Sequence, residues 1–106
     1  MNTSIRHKRK RLEPALLARM AERLRVLAHA DRLRVVEILE RRTEAPVLEI
    51  AGELGLPQAN VSTHLTKMRR AGLIACTRRG KQVWYRIADP NALTILACIR
   101  KKGTNR

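Results

Sequence analysis

Apolar residues recur at helical spacing through the middle of the chain, with one break at Gly55-Leu56-Pro57. Glycine tolerates the left-handed conformation at a helix end and proline suits the first turn of a helix, so this break predicts two short helices joined by a tight bend. The second helix begins near Pro57 and ends at Gly72. Its apolar residues share one face, which leaves its polar and basic residues on the other. The apolar positions of the pair are Val47, Ile50, Ala51, Leu54, Val61, Leu65 and Met68. The pattern is typical of a helix-turn-helix unit.

The segment before this unit predicts two further helices. Pro14 suits the first turn of a helix because its missing amide hydrogen costs nothing there. Asp31 is a good N-cap for the next helix, over residues 32–42. Ala45-Pro46 is predicted to be a connector, since proline biases the residue before it away from helix.

The segment after the unit predicts a hairpin and a last helix. Residues 73–77 and 82–87 read as two short strands joined by a basic turn that contains Gly80. Asp89-Pro90 caps and starts the last helix. We therefore predict a mainly α protein with a small β-hairpin, a winged helix-turn-helix fold in the order helix-helix-helix-helix-strand-strand-helix.

Length and composition indicate one folded domain with a basic arm. The chain has 106 residues with no Phe, one Trp and one Tyr, so one core of mainly aliphatic side chains is expected. Residues 1–12 carry a run of cations at 6–11 and are predicted to be a disordered arm, and residues 13–102 a DNA-binding and dimerisation domain. The arm either lies along the DNA or only makes the protein more soluble.

Net positive charge is concentrated in the second half of the chain, because all acidic residues except Asp89 lie at or before Glu53. The formal net charge is +14, and no acidic residue lies between Glu53 and Asp89. Each phosphate that Lys or Arg neutralises releases counterions and adds affinity that does not depend on base sequence. The coincidence of an acid-free basic segment with a helix-turn-helix unit predicts binding to double-stranded DNA rather than a merely solvated charged surface.

The second helix of the unit is expected to read base edges, and the basic hairpin turn, a wing, to contact phosphates. The candidate base contacts are Gln58, Asn60, Ser62, Thr63 and Thr66. The candidate phosphate contacts are Lys67, Arg70, Arg78, Arg79 and Lys81. His64 is interpreted as a residue of the same helix that packs against the unit or contacts DNA. A solvated loop is the alternative for the three wing residues.

The first and last helices are too apolar for a monomer surface. The last helix is apolar around almost its whole circumference, and a twofold partner is the simplest way to bury its second side. The candidate dimer contacts are Leu17, Met20, Leu24, Leu93, Leu96 and Ile99.

The sequence offers no recognisable enzyme chemistry. It has no paired carboxylates in an enclosed setting, no activated nucleophile and no glycine-rich phosphate loop, and no cofactor is expected. His7, His29 and His64 are predicted to form no cluster, and no metal site is predicted. No signal peptide is evident and no apolar run approaches the roughly 20 residues of a membrane span. We therefore expect a cytoplasmic protein.

Several short motifs resemble those of the ArsR/SmtB family of dimeric winged-helix repressors. Their order and spacing match the family over most of residues 15–100, although Ala30 stands where the family usually has proline. The motifs are LAHADRLRV at 27–35, EIA at 49–51, QANVSTHL at 58–65, AGLI at 71–74 and RGKQVWYRI at 79–87. The resemblance implies a dimer formed by the first and last helices, which binds a twofold-symmetric operator.

The chain departs from this family at the effector sites. Many members bind metal through a Cys-x-Cys pair where this chain has Pro46-Val47-Leu48, and a second site along the last helix needs carboxylates and histidines of which only Asp89 is present. Some members sense oxidants through a cysteine pair, and Cys98 resembles one half of it. Cys76 and Cys98 are interpreted mainly as structural residues, with redox sensing as the alternative. An RNA- or ribosome-associated winged-helix module is the other alternative function.

Overall fold

The structure, a computed structural model, describes residues 9–104. Five helices and a three-stranded sheet follow one another in the predicted order, with one strand added between the second and third helices. The elements are α1 (Pro14–Leu27), α2 (Ala30–Arg42), β1 (Glu44–Pro46), α3 (Val47–Leu54), α4 (Gln58–Arg70), β2 (Ile74–Arg79), β3 (Gln82–Ile87) and α5 (Asn91–Thr104). The first eight residues of the predicted arm lie outside the described part of the chain, and residues 9–12 are exposed without regular structure.

The N-cap predicted for α2 is wrong by two residues. The helix begins at Ala30, and its N-cap is His29, whose Nδ1 accepts the backbone N–H of Asp31 at 3.1 Å. The imidazole nitrogen satisfies one of the free amides at the helix start, as a Ser or Asp oxygen would. Asp31 instead lies in the first turn, where its negative charge suits the helix dipole.

The chain leaves α2 through a strained residue. Thr43 has a φ of 70°, the one positive φ outside glycine in residues 9–104. A β-branched residue disfavours this conformation. The Thr43 amide donates to the Leu39 carbonyl at 3.0 Å, so the tight exit from α2 is hydrogen-bonded. This bend turns the chain directly into β1.

The sheet has the order β1-β3-β2, with both pairs antiparallel. The connector predicted at residues 45–46 is wrong, because Glu44–Pro46 pairs with β3, with Pro46 opposite Trp84. A three-residue strand is too short to show alternation, and Pro46 is tolerated because β1 is an edge strand. The hairpin turn is also shorter than predicted: Arg78 and Arg79 belong to β2, and Gly80, at a φ of 62°, makes the bend with Lys81.

The core lies between α2, α4 and the sheet, with aliphatic side chains from nearly every element. The predicted inner face of α4 is confirmed, since Val61, Leu65 and Met68 have no exposed surface. The buried side chains that join them are Val26, Leu27, Val35, Val36, Ile38, Leu39, Ala45, Ile50, Ala51, Leu73, Ile74, Ala92 and Leu96. This core fixes the outward face of α4.

Apolar side chains remain uncovered on the first and last helices. Leu17 and Leu24 of α1 are 50% and 51% exposed, and Ile99 of α5 is 47% exposed. Met20 and Leu93 are half-buried, whereas Leu96 is already buried in the core of its own chain. None of the helices in residues 9–104 combines the length and apolar character needed to cross a bilayer.

Candidate nucleic-acid interface

Helix α4 carries its polar and basic side chains on the face that points away from the core. Gly55, with a φ of 68°, ends α3, and Pro57 precedes the first turn of α4. The first turn of α4 contains no acidic residue. Of the predicted contacts, the exposed ones are Gln58, Asn60, Thr63, Lys67 and Arg70, and the half-buried ones are Ser62 and Thr66. A helix with this division can lie in a groove of DNA without losing core contacts.

The N-terminal half of α4 and the hairpin of β2 and β3, which we call the wing, face a common groove. This groove has a volume of about 330 Å³, and Gln58 and Ser62 of α4 line it together with Lys81 and Gln82 of the wing. Leu48 of α3, which is 61% exposed, lines it as well. Sequence reasoning missed Leu48 and Gln82, because neither charge nor spacing distinguishes them from other surface residues.

The C-terminal half of α4 borders a different groove. Lys67 and Arg70 line a groove of about 430 Å³ together with Arg25 of α1 and Arg32 of α2. Glu22 contributes the one carboxylate among the residues that line it. The candidate phosphate contacts are therefore divided between the two ends of α4, where they can meet separate stretches of a DNA backbone.

Arg79 of the wing is held within the protein. Its terminal nitrogens donate to the two carboxylate oxygens of Glu44 at 2.6 and 2.9 Å, and its guanidinium lies 5.1 Å from the centroid of the Trp84 ring. Arg79 retains half of its side-chain exposure, and Glu44 about a third. Arg78 and Lys81 are exposed. A phosphate that binds Arg79 must therefore compete with Glu44, which lies 35 residues away in the chain.

His64 points into the protein between α2 and α4. Its side chain is 13% exposed, its Nδ1 accepts the Nε–H of Arg32 at 3.0 Å, and its ring centroid lies 4.6 Å from that of His29. Arg32 also donates to the Val26 carbonyl at 3.2 Å, so it links the end of α1 to α4. Burial, with the neighbouring His29 and Arg32, lowers the pKa of His64 below its ordinary value, while Asp31 acts in the opposite direction. The prediction that the histidines form no cluster is therefore wrong for His29 and His64.

The same cluster contains three groups that are able to ligate a metal. Atoms of His29, Asp31 and His64 lie within 4.8 Å of one another, and imidazoles with a carboxylate suit Zn²⁺, Ni²⁺ or Co²⁺. Both Nδ1 atoms already accept a hydrogen bond: that of His29 from the Asp31 backbone N–H, and that of His64 from the Arg32 Nε–H. The proton of each neutral ring therefore resides on Nε2, the nitrogen that an ion would need. This hydrogen bonding favours a role in joining helices, and the prediction of no metal site stays a prediction.

The two cysteines lie on different elements. Cys76 is half-buried on β2, opposite Tyr85 of β3, and Cys98 is exposed on α5. Burial, with the neighbouring Cys76 as a lesser cause, raises the pKa of the Tyr85 hydroxyl. Both thiols are free. Redox sensing by this pair stays a prediction.

The chain has a helix-turn-helix unit followed by a wing, with cations beside both ends of α4. This arrangement defines the class of winged helix-turn-helix DNA-binding proteins. Comparison with known proteins agrees. Residues 27–77 match a helix-turn-helix domain family. The HTH-type transcriptional regulator Rv0081 of Mycobacterium tuberculosis is 37% identical over 81 residues, which are 76% of this chain and 71% of the relative. Its crystal structure superposes with a TM-score of 0.72 over 89% of this chain and 93% of that chain.

Two further relatives extend the likeness. The transcriptional repressor PagR of Bacillus anthracis is 37% identical over 76 residues, 72% of this chain and 76% of the relative, and its crystal structure gives a TM-score of 0.75 over 82% and 99% of the two chains. The homodimeric winged helix-turn-helix DNA-binding domain Mb0332 of Mycobacterium bovis is 25% identical, with a TM-score of 0.75 over 92% of each chain. The chain belongs to the ArsR/SmtB family of winged helix-turn-helix regulators, and it is a DNA-binding transcriptional regulator. These relatives are regulators of transcription and not enzymes.

Proposed function

We propose that the protein is a homodimeric repressor that binds a twofold-symmetric operator through α4 and the wing. The observation that carries this proposal is the groove shared by the N-terminal half of α4 and the wing, with Gln58, Ser62 and Lys81 along it. Base contacts come from the polar residues of α4, and phosphate contacts from the cations at its C-terminal end and on the wing. Two α4 helices of a dimer then lie about 34 to 36 Å apart, one turn of DNA, or a multiple of that distance.

We infer that the dimer forms through α1 and α5. The exposed Leu17 and Leu24 of α1 and Ile99 of α5 support this assignment, because a second copy packed on these helices would remove their apolar surface from water. The homodimeric relative Mb0332 supports the formation of a dimer. A regulator of this kind acts where its DNA is, and we therefore propose a cytoplasmic location.

Fluorescence anisotropy with the full-length protein tests operator binding. The probes are a promoter fragment from the protein's own gene and a pool of random genomic fragments, each titrated across a salt series. Promoter binding about a thousandfold tighter than pool binding is expected for a specific regulator. Equal affinity for the promoter and the pool, with the same steep salt dependence, would mean that the protein binds nucleic acid only through nonspecific electrostatic contacts. A duplex RNA that competes as well as duplex DNA would favour the RNA-binding alternative.

Single substitutions separate the two kinds of contact. Gln58→Ala is expected to relax the preference at one base position, whereas Arg78→Ala should weaken binding to all sequences and lower the slope of log K against log salt by about 0.9. The matched control is Arg34→Ala, because Arg34 is an exposed arginine on α2 that lines neither groove described above. A changed base preference in Arg78→Ala would contradict its assignment to the backbone.

A further inference from the structure

One guanidinium joins three separate segments of the chain. Arg23 of α1 donates from Nε to the Ala71 carbonyl at 2.9 Å, at the C-terminal end of α4. Its Nη1 donates to Asp89 Oδ2 at 2.8 Å, just before α5. The other carboxylate oxygen of Asp89 accepts the backbone N–H of Asn91 at 2.9 Å, at the first residue of α5. Arg23 therefore contacts α4 directly and α5 through Asp89.

The surroundings of Arg23 make this linkage specific. Asp89 is 7% exposed, and no other charged residue within residues 9–104 is buried. Its burial is tolerated because both carboxylate oxygens accept hydrogen bonds, one of them from a cation. The carbonyl end of α4 also favours a positive group, and the amide end of α5 favours a negative one. Each charge therefore lies where a helix end stabilises it.

The chain leaves room for Arg23 at one glycine. Gly72 follows the end of α4 with a φ of 83°, and a Cβ added there would lie 2.8 Å from Arg23 Nη2. The Leu73 amide donates to the Met68 carbonyl at 3.0 Å across this turn, so the backbone after α4 is closed tightly against the helix. Gly72 therefore allows this turn and leaves the space that the Arg23 guanidinium occupies.

We propose that Arg23 is a positioning residue for DNA recognition, which fixes α4 relative to the two helices through which the dimer forms. The inference rests on the proposed function, because α1 and α5 are the proposed dimer helices and α4 the proposed reading helix. A dimer reads both half-sites only when the separation of its two α4 helices matches the DNA repeat. Arg23 sets this separation by tying the C-terminal end of each α4 to both helices of its own side of the dimer.

The test compares the spacing preference of the wild type and of Arg23→Gln. The wild-type protein first selects a twofold-symmetric duplex from a random-sequence pool, and versions of that duplex carry one or two base pairs more or fewer at the centre, or a single half-site. Arg23→Gln is expected to bind the matched duplex about tenfold more weakly, the equivalent of one displaced base contact. It should bind the single half-site as the wild type does, and its preference for the original spacing should flatten. Sedimentation equilibrium checks that the variant is still a dimer.

Two further variants keep the result interpretable. Asp89→Asn retains an oxygen for the Asn91 amide but removes the charge that holds Arg23, so it should flatten the spacing preference in the same way if Arg23→Gln fails to fold. Arg19→Gln removes the same charge from an exposed position one turn earlier on α1 and should change nothing beyond a small uniform loss. Equal losses on the full duplex and the half-site, or an unchanged spacing preference in both Arg23→Gln and Asp89→Asn, would overturn the proposal. A wild-type protein that selects no sequence or forms no dimer would remove the proposed function itself, before any variant is measured.

Discussion

Substitution of Glu44 by Gln should raise the affinity of the protein for DNA. In the free protein the Glu44 carboxylate accepts two hydrogen bonds from Arg79 across the sheet, and the Trp84 ring packs against the Arg79 guanidinium. A phosphate can take Arg79 only after this ion pair opens. Glutamine keeps the size of the side chain and one acceptor oxygen but removes the charge, so the competition weakens without a cavity.

The size of the effect follows from the exposure of the pair. Arg79 and Glu44 retain 50% and 32% of their side-chain exposure, so the pair is solvated and contributes about 0.2 to 1 kcal/mol. If the whole free energy of the Arg79–Glu44 ion pair is lost when DNA binds, Glu44→Gln should increase the affinity for DNA by a factor between about 1.4 and about 5. The gain should apply to every sequence alike, because phosphate contacts carry no base preference, and it should shrink as salt increases.

Anisotropy titrations with one specific and one random duplex at several salt concentrations measure this gain. Glu37→Gln is the matched control, because it removes the same charge from a surface pair with Arg34 on α2, away from the wing. Arg79→Ala should lose affinity in the wild type and cancel the gain from Glu44→Gln in the double variant. An affinity increase that persists without Arg79, or one that Glu37→Gln reproduces, would refute the role assigned to the pair.

Three other expectations concern stability. Thr43→Gly should stabilise the protein by about 1 kcal/mol in urea unfolding, since glycine accepts the positive φ that strains threonine; a loss would show that the threonine side chain makes a compensating contact. Leu65→Ala should destabilise it by about 2 to 5 kcal/mol, because Leu65 is fully buried under α4, and a much smaller loss would mean that the core collapses around the gap. The pKa of His64 is lower in the folded protein than its ordinary value of about 6.5 in the unfolded chain. As the pH falls below about 6.5, the unfolded chain therefore binds a proton at His64 before the folded protein does. The free energy of unfolding is highest above that pH and decreases below it. His64→Gln, which keeps an acceptor for Arg32, should remove part of that decline between about pH 7.5 and 5.5, whereas equal declines in both proteins would contradict the assignment.

Local pattern was enough to predict most of the fold. The buried face of α4 follows from a spacing of four and three residues, and the bends after α3 and α4 follow from glycines that adopt positive φ. These features depend on contacts between residues within one or two helical turns of each other, and such residues can be identified from their spacing in the sequence. The polar face of α4 and the cations on the wing were predictable for the same reason.

Contacts between distant residues were decided by the tertiary structure. β1 is a strand because β3 offers it a free edge, and three residues that include Pro46 carry no alternation of their own. The pairing of Glu44 with Arg79, the packing of His64 against His29 and the linkage of Arg23 to Asp89 join residues 35 to 66 positions apart. Charge and spacing in the chain are compatible with many such partners, and only the packing of the helices on one core selects among them. The sequence by itself therefore determined the polar and basic face of α4 that we propose reads DNA. The tertiary structure decided which cations near that face are already held by other groups of the protein, because their partners lie far away in the chain.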